Sequence, residues 1–136
     1  MSIYKIADTN VLMDFPQIIH REENLIISTD VLKELDGLKK HVNKEVAFKA
    51  RRAAVAISKS IDTLIFDDSM DDKVLPVDDK LIELTRNRAG TLITNDVYLK
   101  IKAKLAGLQT TGYGGVEDYT GVKEWLVEFD ENGYNA

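Results

Sequence analysis

Cysteine is absent from the 136 residues. That rules out a disulfide framework and a zinc–thiolate site, and it fits a reducing compartment. No apolar run approaches a membrane span, and the N-terminus lacks a signal-peptide pattern. A cytoplasmic protein with no membrane partner is the expectation. No Gly-rich phosphate loop is present, so nucleotide hydrolysis by that route is unsupported. No serine has a nucleophile signature. The two histidines, His20 and His41, have no partner spacing and read as surface residues, His41 near a substrate. There is no internal repeat and no low-complexity tract. The basic excess common in nucleic-acid-binding proteins is also missing: 23 acids face 18 bases, for a net charge of −5. An acidic balance suits carboxylates gathered for a divalent metal, which then recruits a phosphate.

What is present suits one domain with a core, since 44% of the residues are hydrophobic. Apolar, β-prone runs at 3–7, 25–28 and 91–94 predict strands of the kind a parallel sheet buries on both faces. Weaker strands are expected at 62–66 and 108–111. A short helix is expected to start near Pro16 within 11–21. Helices are also expected at 31–39 (capped by Thr29 or Asp30), 45–60, 79–88 and 97–106. Val46, Ala50, Ala53, Ala54, Ile57 and Ile61 should form the inner side of the second of these four. Leu99, Ile101 and Leu105 should turn inward on the last, with Lys100, Lys102 and Lys104 outward. Gly90 reads as the residue that ends the 79–88 helix. Residues 67–73 read as an acidic loop, 112–115 as flexible, and 116–136 as an acidic tail with Trp125, Leu126, Val127 and Phe129 in it. Alternating strands and helices predict an α/β fold, a three-layer α/β/α sandwich around a mostly parallel sheet.

Chemistry concentrates at strand ends. Asp8 follows the first strand and Asp96 follows the 91–94 strand, each in an Asp/Asn turn. In open α/β sheets, sites gather outside the carboxyl ends of the strands. Asp78 opens a helix, and Glu34 lies beside the apolar stripe of the 31–39 helix. Each acid alone could be a cap or a solvated residue. Together they could converge over one sheet edge, where clustered carboxylates repel and raise one another's pKa unless a cation sits among them. Hard oxygen donors select Mg²⁺ or Mn²⁺, which can activate a water and stabilise charge on a scissile phosphate. The loop acids Asp67, Asp68, Asp71 and Asp72 have no framework to aim them.

Four motifs in order, Asp8-Thr9-Asn10-Val11-Leu12, Val31-Leu32-Lys33-Glu34-Leu35-Asp36-Gly37-Leu38-Lys39, Asp78-Asp79-Lys80-Leu81-Ile82 and Thr94-Asn95-Asp96, resemble a PIN domain. Asn95 to Ala103 and Tyr119-Thr120-Gly121 are similar to the PIN module at the N-terminus of PhoH-type proteins, which continue into an ATPase domain. The resemblance covers roughly residues 3–111. It implies a metal-dependent endoribonuclease that cleaves single-stranded RNA. The chain then divides into a nuclease domain, 1–111, and a tail or linker, 112–136. The resemblance carries the metal-binding and catalytic roles to Asp8, Glu34, Asp78 and Asp96, with Asp79 as second choice for Asp78. Thr9 or Asn10, and Thr94, would orient the carboxylates. Glu83-Leu84-Thr85 departs from the small apolar residues usual there, which touches packing more than chemistry.

Lys39, Lys40, Lys44, Lys49, Arg51 and Arg52 form a basic segment that could hold an RNA backbone, or be a solvated helix face. Expected partners are RNA, a second copy of the chain, an ATPase domain or an antitoxin-like protein. The alternatives are a catalytically silent RNA- or protein-binding module and the detached N-terminal part of a PIN–ATPase protein. A phosphatase of the Asp-x-Asp kind is disfavoured because position 10 is Asn.

Overall fold

The computed structural model describes residues 3–114. The acidic tail and Tyr119-Thr120-Gly121 lie outside the described residues. Five short strands form one sheet: β1 (Lys5–Ala7), β2 (Leu25–Ser28), β3 (Ile65–Asp67), β4 (Thr91–Ile93) and β5 (Gln109–Thr111). Their order is β3-β2-β1-β4-β5, and every pairing is parallel. The central strands are apolar along their middles because both faces are covered: Ile6, Ile26, Ile27 and Leu92 have no exposed surface.

Among the described residues, six helices cover the sheet: α1 (Thr9–Asp14), α2 (Ile18–Arg21), α3 (Thr29–Leu38), α4 (Lys44–Lys59), α5 (Val77–Arg88) and α6 (Val97–Leu105). The strand order runs outward from β1 in two directions. With right-handed crossovers, α1 to α4 then fall on one face and α5 and α6 on the other. The packing agrees: α1, α3 and α4 touch one another, α5 lies on β1 and β4, and α6 lies beside β5. This is the three-layer α/β/α architecture expected. None of the helices is long and apolar enough to cross a membrane among the described residues.

Several local expectations are corrected. The short helix after Pro16 is there as α2, but α1 precedes it from Thr9, because the Asp8 side chain accepts the Val11 N–H and caps it. Helix α3 is capped by Ser28, whose hydroxyl accepts the Asp30 N–H, and not by Thr29 or Asp30. Ala89, not Gly90, takes the left-handed conformation after α5, with φ 50°. Gly90 is required for another reason: a Cβ there would stand 2.6 Å from the Tyr4 carbonyl oxygen. On α6, Ile101 and Leu105 face solvent instead of the core; on α4, so does Ala54, and Ile61 beyond its end is exposed as well. Residues 112–114 are tied down. Tyr113 exchanges two 2.9 Å hydrogen bonds with Asn95, and its ring meets Phe15 edge-on.

Among the described residues, one buried and one half-buried ion pair were not legible in sequence. Lys80 of α5 reaches Asp30 of α3 at 3.0 Å, with both side chains nearly enclosed. Asp67, read as a loop acid, ends β3 and is held by Arg88 at 2.8 Å and by the Ser69 hydroxyl and N–H. Burial pushes the Asp67 carboxyl up. The Ser69 bonds and the Arg88 guanidinium outweigh that and hold it below its ordinary value.

Candidate active site

The strand order reverses at β1, which has β2 on one side and β4 on the other. Such a switch point splays the connections leaving the two strands and opens a crevice at their carboxyl ends. Asp8 leaves β1 and Thr94 leaves β4 at this point. The strands are knitted across it by the Asp8 N–H donating to the Ile93 carbonyl at 3.1 Å.

A cavity of about 110 Å³ occupies the crevice, lined by Asp8, Thr9, Asn10, Glu34, Asp78 and Asp96 with Leu38, Val77 and Leu81 as its apolar wall. All four predicted acids therefore meet there from four different segments. Asp8 is the buried member, at 6% exposure, while Glu34, Asp78 and Asp96 are exposed at the rim.

Each carboxylate is aimed by its surroundings. Asp8 Oδ1 accepts the Val11 N–H at 2.9 Å, and Oδ2 accepts the hydroxyl of the fully buried Thr94. Thr94 Oγ1 in turn accepts the Asp96 N–H at 3.0 Å. Asp96 caps α6, its Oδ1 accepting the N–H groups of Tyr98 and Leu99 at 2.9 and 3.2 Å. The Thr9 hydroxyl donates to Glu34 Oε1. Of the pair at the start of α5, Asp78 lines the cavity, whereas Asp79 pairs with Lys102 of α6 at 2.9 Å. Asn10 also lines the cavity.

Burial pushes the Asp8 carboxyl above its ordinary value of 3.8. The Thr94 and Val11 bonds work against that rise, and the negative charges of Asp96 and Asp78 add to it. A buried carboxylate facing two others is the electrostatic setting that a cation relieves. The donor set, hard oxygens only, fits Mg²⁺ or Mn²⁺. Among the described residues no three His, Cys, Asp or Glu groups stand close enough together to hold an ion directly.

The basic segment is less available than its sequence suggests. Lys39 pairs with Asp36 at 2.7 Å, and Lys49 pairs with Asp14 at 3.1 Å. Arg51 donates to the Lys39 carbonyl, and Arg52 donates to the Met13 carbonyl and lies over the Phe48 ring. Lys40 and Lys44 are exposed with no ion pair among the described residues. His41 Nδ1 accepts the Asn43 N–H and His20 meets the Ser60 hydroxyl, both away from the cavity lining.

Comparison with solved structures finds the same fold elsewhere. A domain of a functionally unknown protein from Methanocaldococcus jannaschii DSM 2661 is 17% identical, with a TM-score of 0.63 over 93% of this chain and 97% of that one. VapBC2 from Rickettsia felis, bound to a DNA fragment from their promoter, is 14% identical, with a TM-score of 0.52 over 82% of this chain and 100% of that one. At those identities the likeness is one of fold alone. No curated protein matches. The PIN domain family matches residues 5–114, which span the whole sheet and every residue lining the cavity. The chain belongs to the PIN domain family, whose members are commonly nucleases and typically use divalent metals.

Proposed function

We propose that the chain is a metal-dependent endoribonuclease that cleaves phosphodiester bonds of single-stranded RNA. The observation that carries the proposal is the meeting of Asp8, Glu34, Asp78 and Asp96 around one cavity at the sheet's switch point. One or two of these carboxylates would bind Mg²⁺ or Mn²⁺ directly, and the others through the waters the ion keeps. The bound ion supplies an activated water and offsets charge on the scissile phosphate. Thr94 and the Val11 N–H hold both oxygens of Asp8, and Thr9 holds Glu34, so the carboxylates are set before substrate arrives. Leu38, Val77 and Leu81 keep water from one side of the cavity. Lys40, just after α3, and Lys44, the first residue of α4, are the bases best able to meet an RNA backbone.

We read residues 1–111 as the nuclease domain and 112–136 as a tail or linker. In the same reading the chain is a relative of the PhoH-type PIN module, cytoplasmic, with an ATPase domain, an antitoxin-like protein or a second copy as further partners. A second reading is a catalytically silent RNA- or protein-binding module. What supports it is that, among the described residues, no three of the acidic groups are placed to hold an ion directly.

The test is cleavage of labelled single-stranded RNA with Mg²⁺ or Mn²⁺, wild type beside Asp8→Asn. Cleavage abolished by EDTA and by the substitution supports the nuclease. Equal activity in both proteins points to a contaminant and ends the assignment of this site. Metal binding without cleavage in either moves the reading to the silent module.

A further inference from the structure

Helix α6 leaves four apolar side chains in solvent. Val97, Tyr98, Ile101 and Leu105 are 64%, 80%, 50% and 84% exposed. At helical spacing they share one face, opposite the buried Leu99 and Ala103. Lys104 borders that face on one side, and Lys102, which also meets Asp79 of α5, on the other. Single exposed apolar residues are ordinary, but a contiguous stripe marks an interaction surface.

The rest of the chain indicates what covers it. Residues 115–136 hold six acids and one base, so they carry the whole formal charge of −5, while residues 1–114 balance at 17 acids and 17 bases. Within that segment Val122, Trp125, Leu126, Val127 and Phe129 are interleaved with Glu124 and Glu128. Apolar groups framed by acids complement an apolar stripe framed by lysines. The chain also leaves the described fold beside this helix, because Tyr113 is bonded to Asn95, the residue before the α6 cap. The linker of residues 115–121 reaches up to about 23–25 Å, and a helix the length of α6 is roughly 14 Å long, so reach does not limit the contact.

We propose that residues 122–129 of this same chain dock on the α6 face of Val97, Tyr98, Ile101 and Leu105, with their acids toward Lys102 and Lys104. This does not depend on the nuclease reading.

Trp125 is the only tryptophan in the chain, so its fluorescence in the 136-residue protein reads the contact directly. The expected result is a blue-shifted emission, poorly quenched by acrylamide, at every protein concentration. Ile101→Glu with Leu105→Glu should shift the emission to that of free indole and restore full quenching, with circular dichroism unchanged. Leu105→Glu alone carries the same test if the pair disturbs the fold. Val55→Glu, in the apolar groove between α3 and α4 lined by Leu32, Leu35 and Ala50, should change nothing. Solvent-like emission in the unaltered chain, or no response to the α6 substitutions, overturns the proposal. A response to Val55→Glu instead seats the segment in the other groove and also overturns it. A blue shift that grows with dimerisation in sedimentation assigns the face to a second copy, again against the proposal.

Discussion

At the scale of the residue, Asp8 sets stability against chemistry. Its folded pKa is raised, chiefly by burial and further by the Asp96 and Asp78 charges. A raised carboxyl binds its proton more tightly in the folded state. Its contribution is therefore fully present below the ordinary value of 3.8 and is lost as pH rises through the folded value. The ion-free protein should lose thermal stability across that window. Asp8→Asn keeps an acceptor for the Val11 N–H and should melt higher than wild type at neutral pH, with that pH dependence removed. Added Mn²⁺ should raise the melting temperature of the wild type and leave the variant where it was. Calorimetry from roughly pH 4 to pH 8 tests both statements; a variant that melts lower at neutral pH would refute the electrostatic account.

At the scale of the element, the end of α5 separates two reasons for small residues. Ala89 has φ 50° and is exposed, so Ala89→Gly should relieve left-handed strain and stabilise by roughly 1 kcal/mol. Gly90→Ala should destabilise by about 1–3 kcal/mol, because its Cβ would meet backbone that has no room to yield. Urea denaturation measures both, and equal signs would defeat the distinction. Helix α5 also depends on the Lys80–Asp30 pair, in which Asp30 Oδ2 is already buried without a hydrogen-bond partner among the described residues. Lys80→Met should cost about 3–5 kcal/mol by stranding a buried carboxylate. Adding Asp30→Asn should recover much of that stability. If the double variant is no more stable than Lys80→Met, charge is not the cause.

At the scale of the whole molecule, an overall acidic chain must meet a polyanion through local bases. Four of the six candidate bases are already engaged by Asp36, Asp14 or backbone carbonyls. Lys40→Ala with Lys44→Ala should therefore weaken single-stranded RNA binding. It should also flatten the dependence of log K on log salt by about 0.7 for each phosphate that is no longer neutralised. A titration of binding against salt with an unchanged slope would place the RNA elsewhere on the surface.

Strand and helix identity were legible because periodicity and propensity are local. Leu25-Ile26-Ile27 reads as a doubly buried strand, and Asp8-Thr9-Asn10 as a strand end that presents a carboxylate. The candidate acids were legible for the same reason, since each stands at the end of an element or beside an apolar stripe. Pairing and exposure were not. That Lys80 finds Asp30, that Asp67 finds Arg88, and that Asp79 turns to Lys102 while Asp78 lines the cavity depend on how separate elements pack. Ile101 and Leu105 have the spacing of core residues, yet the short β5 edge gives α6 too little to cover, and they remain in solvent. The sequence by itself determined which segments are strands and helices and which residue types stand at their ends. The tertiary structure decided which of those ends meet, because the reversal of strand order at β1 is a property of the assembled sheet and of no single segment.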